Sequence, residues 1–204
     1  MFAVFTRPDQ QGLTDALLYH ESGAGFTAAL CDAHGGVQPD AACDTAMNAL
    51  EDGAGFPEDA SFCALRLTPN TCAWVNGGNV RLYHFSGGTL VCHSEDCTSA
   101  YADYLSGRTA YADIRLHPGY AAREAGRILN GNCAVKPGDA LLLCSDGFWQ
   151  YIYETEMELD LIQARTAQEW LDLMLLRIAQ RSRLNGDAIS VLAVFVEERS
   201  QNEF

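Results

Sequence analysis

Basic residues are scarce in this sequence, and their scarcity excludes whole classes of function. Lysine and arginine number 13 against 27 aspartates and glutamates, which gives a formal net charge of -14. Nucleic acids and anionic membrane surfaces are bound through concentrated positive charge. We therefore expect no nucleic-acid partner and no membrane partner. The same acidity opposes phosphate binding, unless bound divalent cations reverse the local charge.

Long apolar runs are missing as well. No segment approaches the ~20 consecutive apolar residues that span a membrane, and residues 1–7 are too few and too polar for a signal peptide. These absences predict a cytoplasmic protein. The length of 204 residues and the hydrophobic content of 48% fit a single domain over residues 1–204. We expect it to be a monomer.

Eight cysteines are present, an even number that is compatible with a disulfide framework. Several of them, however, lie in apolar strand-like runs of a long chain that lacks an export signal. This favours free, buried thiols in a reducing compartment. Cys92 and Cys97 flank His93 closely enough to contribute to a soft metal site, but such a site needs four converging ligands. Because no second cluster is evident, ordinary loop residues are the favoured interpretation.

Short apolar and β-branched runs bounded by Gly, Pro, Asn or Asp predict a series of strands. They lie at Phe2–Phe5, Ala16–Tyr19, Phe26–Cys31, Phe62–Leu67, Cys72–Val75, Val80–Phe85, Leu90–Cys92, Ala140–Cys144 and Ile189–Val196. The sequence Asn-Gly-Gly-Asn at 76–79 predicts a hairpin between two of these strands. Many short strands with few helices indicate packed sheets covered by helices.

Helical patterns are fewer. Asp40–Leu50 follows a proline, and Pro118–Leu129 begins with one. Thr155–Glu158 and Thr166–Glu169 both have the capping-box pattern. The second box predicts a long helix to about Arg183, with a core-facing stripe formed by Trp170, Leu173, Met174 and Ile178.

Four aspartates stand where a predicted strand begins or ends: Asp15, Asp32, Asp146 and Asp187. Strand ends in packed sheets can converge at one edge, and carboxylates gathered there repel one another unless cations lie between them. Oxygen ligands without a His/Cys set favour Mg²⁺ or Mn²⁺ over zinc. The alternative for each aspartate alone is turn chemistry, since Asp-Gly is a common turn.

At this point the chain resembles a known family, the metal-dependent serine/threonine protein phosphatases of type 2C (PPM). Asp-Ala-His-Gly-Gly at 32–36 is similar to the family's Asp-Gly-His-Gly-Gly, and residues 138–149 are similar to its second metal motif. Gly-Asp-Ala-Ile-Ser-Val at 186–191 resembles the terminal Asp-Asn motif. Gly-Asn-Val-Arg-Leu-Tyr at 78–83 stands where the family has Gly-Asp-Ser-Arg-x-Tyr. The four motifs occur in the same order as in the family. The resemblance extends over nearly the whole chain.

The resemblance implies an α+β fold, with two packed antiparallel β-sheets flanked by helices on both sides in an α-β-β-α sandwich. It also implies hydrolysis of phosphoserine and phosphothreonine in proteins, which would be the partners of the chain. Two Mn²⁺ or Mg²⁺ ions would share the carboxylate of Asp32, which makes Asp32 a catalytic residue as well. Asp146 and Asp187 would bind one ion, while the carbonyl of Ala33 and, through water, Asp15 would serve the other. A water bridging the two metals would attack phosphorus in line.

Two further roles come from the resemblance. His34 would protonate the departing oxygen as the catalytic acid, or else be a loop histidine bonded to backbone. Arg7 would bind the substrate phosphate, or else be a surface residue, because Gln10 stands where the family usually has its arginine.

The chain also departs from the family pattern. Asn79 and Gln150 replace two carboxylates that serve a third metal in the family, so we predict that a third site is absent or very weak. Thr14 and Ala188 replace a Glu and an Asn beside the metal ligands. These losses keep a second hypothesis open, a catalytically weak or inactive regulatory or binding module on the same fold. A structural Cys/His metal protein is the third hypothesis.

Overall fold

The computed structural model describes residues 1–10, 15–22, 25–33, 38–53, 55–120, 127–181 and 187–197. The strands are β1 (Phe2–Arg7), β2 (Ala16–Ser22), β3 (Gly25–Ala33), β4 (Ala60–Leu67), β5 (Thr71–Gly77), β6 (Arg81–Ser86), β7 (Thr89–His93), β8 (Leu129–Ala134), β9 (Ala140–Cys144) and β10 (Ile189–Phe195). The helices are α1 (Pro39–Asp52), α2 (Ser99–Leu105), a 3₁₀ helix (Tyr111–Leu116), α3 (Asp146–Trp149), α4 (Glu154–Gln163) and α5 (Ala167–Arg181).

The strands form two five-stranded antiparallel sheets. Sheet A has the order β1-β10-β9-β6-β7, and sheet B has the order β2-β3-β4-β5-β8. Helix α1 packs on β3 and β4 of sheet B, and α5 packs on β1 and β10 of sheet A. The layers therefore run helix, sheet, sheet, helix, which confirms the α-β-β-α sandwich.

Three apolar layers hold the sandwich together. The layer between the sheets contains Leu30 and Leu65 from sheet B and Leu143 from sheet A. Strand β9 is buried on both faces, because Leu143 points into this layer while Leu142 points toward α5. Since alternate side chains of a strand face opposite sides, burial of both faces explains the unbroken apolar run at Ala140–Cys144.

The predicted strands are confirmed, with ends that shift by at most three residues, but one strand was missed. Leu129–Ala134 forms β8, an edge strand that pairs with β5. The predicted helix Pro118–Leu129 is wrong where the structure describes it. Residues 118–120 form a turn, Leu129 begins β8, and residues 121–126 lie outside the described part. The polar and glycine positions of β8 obscured its alternation of half-buried and exposed residues.

The predicted hairpin at 76–79 is also wrong. Strands β5 and β6, on either side of it, belong to different sheets, so this turn carries the chain across the sandwich. Gly78 has a φ of +90°, and a Cβ there would lie 2.2 Å from Oγ of Ser61. Glycine is therefore required both for the left-handed backbone and for the close approach to β4.

One of the two predicted capping boxes marks the start of its helix, and the other does not. Oγ1 of Thr166 accepts a hydrogen bond from the Glu169 amide at 3.1 Å, and α5 begins at the next residue, as predicted. Helix α4 instead begins at Glu154, ahead of Thr155. There the Glu156 carboxylate accepts a hydrogen bond from the Tyr153 amide at 3.0 Å.

The helix boundaries differ in smaller ways. Helix α1 is longer than predicted, at Pro39–Asp52, and the predicted end of α5 near Arg183 lies outside the described residues. The predicted core stripe of α5 is buried except for Leu173, which is half-buried; Leu171 is fully buried in addition. Neither α2 nor the 3₁₀ helix was predicted from the sequence.

All eight cysteines are free, and six are buried, as predicted; Cys92 is exposed and Cys133 is half-buried. The Cys97 thiol lies 3.5 Å from Oδ1 of Asn76. Over the described ranges, no three Cys, His or acidic side chains are arranged to hold one metal ion, which leaves the structural Cys/His hypothesis without support. No helix in these ranges is long and apolar enough to cross a membrane.

Candidate metal centre

Two of the predicted site aspartates lie side by side at one end of sheet B. Asp32 is the penultimate residue of β3, and Asp15 immediately precedes β2. The antiparallel register pairs Ala16 with Cys31, so the chain places Asp15 opposite Asp32. Asp15 is buried, and Asp32 is half-buried.

The other two aspartates lie at one end of sheet A. Asp146 begins α3 directly after β9, and Asp187 lies two residues before β10. The two strands are joined at this end by reciprocal hydrogen bonds, from the Ser145 amide to the Ser190 carbonyl at 2.9 Å and from the Ser190 amide to Oγ of Ser145 at 3.1 Å. A Cβ on Gly147 would lie 2.0 Å from the Ala188 carbonyl oxygen, so only glycine allows this approach.

The four carboxylates act on one another electrostatically. Burial, followed by the charges of Asp146, Asp15 and Asp187, raises the pKa of Asp32 to about 8. Burial and the charge of Asp187 likewise raise the pKa of Asp146 to about 6. The sandwich therefore brings all four aspartates into one electrostatic group, although they are far apart in sequence.

Two side-chain amides lie against this group. Nδ2 of Asn79 donates a hydrogen bond to Oδ2 of Asp146 at 3.1 Å. Nε2 of Gln150 donates one to Oδ2 of Asp187, also at 3.1 Å. Asn79 is itself held by the Trp149 indole, whose Nε1 donates to the Asn79 carbonyl at 2.9 Å. Amide donors thus occupy the positions where the type 2C pattern has further carboxylates.

A buried ion pair supports this end of sheet A. Arg81 makes a two-pronged contact with Asp96, with Nε to Oδ1 at 2.7 Å and Nη2 to Oδ2 at 2.8 Å. Its guanidinium also stacks 3.5 Å from the centre of the Trp149 ring. The sequence motif at 78–83 included Arg81, but no pattern identified Asp96 as its partner, because the two residues are joined only by the folding of the loop after β7.

The remaining predicted residues have the following positions. Arg7 is exposed at the end of β1, where it pairs with Ile189, two residues beyond Asp187. Its backbone is thus at the same end of sheet A as the aspartates. Ala33 is the last residue of β3. His34 and Thr14 lie outside the described residues.

A cavity of about 540 Å³ borders the same end of the sandwich. Trp149 and Gln150 form one wall, and tyrosines dominate the others. Arg115 lies over the ring of Tyr151, with 5.4 Å between the guanidinium carbon and the ring centre. The cavity offers aromatic faces and positive charge beside an acidic site.

The donor set fits hard divalent cations. Carboxylates that raise one another's pKa are stabilised when cations lie between them, and Mg²⁺ and Mn²⁺ prefer oxygen ligands. Across the described residues, no three acidic, His or Cys side chains surround a single point. A site of that kind suits ions that keep several waters and take one or two carboxylates each, as Mg²⁺ does.

Comparison with solved structures identifies the architecture. A bacterial serine phosphatase superposes with a TM-score of 0.75 at 14% identity, over 98% of each chain. Stp1, a serine/threonine phosphatase of Staphylococcus aureus, gives 0.75 at 15% identity over 97% of this chain and 95% of its own. The catalytic domain of the serine/threonine phosphatase PstP in complex with two manganese ions gives 0.68 at 16% identity, over 97% and 98%.

This chain has the fold of the PPM-type serine/threonine phosphatases. The fold is shared at identities of 14% to 16% in these three superpositions. No protein-family profile matches the sequence, and no curated protein sequence matches it. The activity of this chain therefore has to be argued from its own residues.

Proposed function

We propose that this chain is a metal-dependent serine/threonine protein phosphatase that uses two Mn²⁺ or Mg²⁺ ions. The observation that carries the proposal is the group of four interacting aspartates at one end of a phosphatase-type sandwich. The raised pKa values of Asp32 and Asp146 show that burial and the neighbouring carboxylates disfavour the charged forms of these two side chains. Divalent cations would stabilise the charged forms.

In this proposal the aspartates divide the ligand roles. Asp32, whose pKa responds to the charges of the other three aspartates, would contribute its carboxylate to both ions. Asp146 and Asp187 would hold one of them, while the Ala33 carbonyl and, through water, Asp15 would hold the other. When bound, the ions would neutralise the phosphate and activate a water for in-line attack.

Two residues would handle the substrate. Arg7, at the aspartate end of β1, would bind the phosphoryl oxygens through its planar guanidinium. His34, which follows β3 directly in the sequence, would donate a proton to the departing serine or threonine oxygen. The aromatic and cationic cavity beside Gln150 would accept the peptide around the phosphorylated residue.

A specific observation supports the alternative, a catalytically weak or inactive regulatory or binding module. Asn79 and Gln150 already donate hydrogen bonds to Asp146 and Asp187. These bonds stabilise the two carboxylates without a cation. A module that binds phosphoproteins without turnover would retain the fold and part of this network.

Hydrolysis of a phosphothreonine peptide distinguishes the two proposals. Phosphate release is measured for the whole chain with Mn²⁺, with Mg²⁺ and with excess chelator. Asp146→Asn removes the charge of a proposed ligand. Asp172→Asn is the matched control, because Asp172 is an exposed aspartate on α5.

The phosphatase proposal predicts turnover that requires the cation, falls by on the order of a hundredfold or more in Asp146→Asn, and is unchanged in Asp172→Asn. Activity that resists the chelator, or full activity in Asp146→Asn, would contradict the two-metal mechanism. Phosphopeptide binding without turnover under any divalent cation would favour the binding module.

A further inference from the structure

Two cysteines face each other across the edge of sheet B, at a distance from the aspartates. Cys72 on β5 and Cys133 on β8 are direct partners in the antiparallel register. Cys133 Sγ also lies 3.8 Å from the Cys72 carbonyl oxygen, and the two thiols interact with each other. Cys72 is fully buried, whereas Cys133 is half-buried at the open end of the layer between the sheets.

The strand geometry permits a bond between them. Directly opposed residues of antiparallel strands have Cα atoms about 4.5 or 5.5 Å apart, depending on the hydrogen-bonding position. Disulfides are found with Cα atoms about 4.4–6.8 Å apart. Both kinds of opposed pair fall in this range, so the spacing of the two backbones is compatible with a disulfide.

A histidine and an aspartate stand next to this pair. Nε2 of His84 lies 3.0 Å from Oδ2 of Asp139, and both side chains are buried. Oδ2 of Asp139 also accepts a hydrogen bond from the Lys136 amide at 3.1 Å, which fixes the carboxylate. Nδ1 of His84 has no partner at hydrogen-bond distance among the described residues.

These neighbours favour the reactive form of one thiol. Interaction with Cys72 first, and then the charge and contact of His84, lower the pKa of Cys133 to about 6 against the opposing effects of burial and Asp139. The pKa of Cys72 is raised, chiefly by its interaction with Cys133 and by burial. These opposite shifts favour the thiolate form at Cys133 and the thiol form at Cys72.

We propose that Cys133 is an oxidant-reactive thiol that forms a reversible disulfide with Cys72, positioned by His84 and Asp139. The oxidant is a peroxide. The inference rests on the strand register and on the side-chain cluster, and it does not depend on the phosphatase proposal.

The chemistry balances in two steps. The Cys133 thiolate attacks one peroxide oxygen, the O–O bond breaks, and hydroxide leaves and takes up a proton. The sulfur is oxidised by two electrons to a sulfenic acid, and the peroxide is reduced. The Cys72 sulfur then attacks the Cys133 sulfur, the S–O bond breaks, and water leaves with the Cys72 proton. Two thiols and one hydrogen peroxide yield one disulfide and two waters.

Cys92 is the competing partner. It is exposed and pairs with His84 across β6 and β7. The pKa of Cys92 is raised by desolvation and then by the charge of the nearby Cys133. Its side chain comes from sheet A, whereas Cys72 and Cys133 share sheet B. A disulfide between Cys92 and Cys133 would have to bridge the two sheets.

Peptide mapping after mild oxidation tests the proposal. The whole chain is treated with a small excess of hydrogen peroxide, remaining thiols are blocked, and the tryptic digest is analysed by tandem mass spectrometry. Cys72 is the only cysteine of the tryptic peptide 67–81. Cys133 shares the peptide 128–165 with Cys144, because trypsin does not cleave before Pro137, so fragment ions from between these two cysteines assign the partner. We expect a Cys72–Cys133 linkage, reversed by dithiothreitol and retained in Cys92→Ser.

Two variants separate reactivity from folding. In Cys72→Ser, with its fold checked by circular dichroism, Cys133 should remain a sulfenic acid that dimedone traps. In His84→Gln, alkylation of Cys133 at pH 6.5 should slow by roughly tenfold, and its pH profile should move toward that of an ordinary thiol. Cys72, Cys92, His84 and Asp139 are the titratable groups that face Cys133 in this assay.

Three results would overturn the proposal. One is a reduced Cys133 while other cysteines are oxidised. Another is a linkage through Cys92. The third is an alkylation profile of Cys133 that is the same with and without His84. The wild-type digest alone decides the first two, whatever the stability of the variants.

Discussion

The side-chain amide of Asn79 donates a hydrogen bond to Oδ2 of Asp146 at 3.1 Å. The type 2C pattern has a carboxylate at this position, which would repel Asp146 unless a cation lay between them. Gln150 makes the equivalent contact with Asp187. Because neutral amides replace carboxylates at both positions, there is less negative charge where a third metal would bind. We therefore predict that this site is absent or very weak.

Replacing Asn79 tests that contact. Asn79→Asp puts a like charge beside the half-buried Asp146, and we expect it to lower the free energy of unfolding by about 1–3 kcal/mol without metal. Asn79→Ala is the uncharged control and should cost less, about 1 kcal/mol. Urea denaturation in chelator measures both. Equal stability of Asn79→Asp and the wild type would contradict the assigned electrostatics.

Asp32 makes the metal-free protein sensitive to pH. Its folded pKa of about 8 lies above the ordinary value of 3.8, so ionisation favours the unfolded chain. The folded state should therefore lose stability as pH rises from about 4 to about 8. Asp32→Asn should recover on the order of 2 kcal/mol at pH 8 in chelator, which corresponds to about 4–8 °C in Tm, and little at pH 4.

Thermal unfolding at both pH values measures this difference. Asp172→Asn is the control for loss of one negative charge, and it should change Tm little at either pH because Asp172 is exposed. Mn²⁺ should stabilise the wild type at pH 8 more than it stabilises Asp32→Asn. A Tm of Asp32→Asn below that of the wild type in chelator would refute the raised pKa.

The Arg81–Asp96 pair is predicted to be structural. Arg81→Met leaves the buried Asp96 carboxylate without its partner and removes the stacking on Trp149. We expect a loss of about 3–5 kcal/mol. The double variant Arg81→Met with Asp96→Leu removes both charges and should recover a large part of that loss. If denaturation shows that the double variant is less stable than Arg81→Met, the unpaired charge of Asp96 is not the cause of the stability loss in Arg81→Met.

Arg7 is predicted to bind the substrate phosphate. Arg7→Met should raise KM for a phosphothreonine peptide by about tenfold, because a charged hydrogen-bond donor to the phosphate is lost. Arg66→Met is the matched control, because Arg66 is also an arginine on a strand. It forms an ion pair with Glu51 at the end of β4 that lies away from Asp32. Equal KM values for the two variants would show that Arg7 is a surface residue that does not bind the phosphate.

The sequence predicted the parts of the fold that follow from local patterns. Buried strands such as Ala140–Cys144 are apolar throughout, and the α5 start at Thr166 depends on contacts within four residues. Strand β8 was missed because its Asn and Gly residues lack β-sheet propensity, and its pairing with β5 decides its conformation. The turn at 76–79 was misassigned because tertiary packing decides which strands pair with the segments on either side of it. A short motif carries no information about that pairing.

The site was predictable only in part for the same reason. Asp32, Asp146 and Asp187 lie in motifs with recognisable order, so their positions could be proposed from the chain alone. The hydrogen bonds from Asn79 and Gln150 and the pairing of Arg81 with Asp96 depend on loops that meet in space. So does the meeting of Cys133 and His84, which come from different sheets.

A manganese anomalous difference map from crystals grown with Mn²⁺ would locate the two proposed metal ions directly. It requires no knowledge of the substrate. We predict two peaks among Asp32, Asp146, Asp187 and the Ala33 carbonyl, and none beside Asn79 and Gln150. The absence of any peak at the aspartates, or a strong peak beside the two amides, would contradict the account.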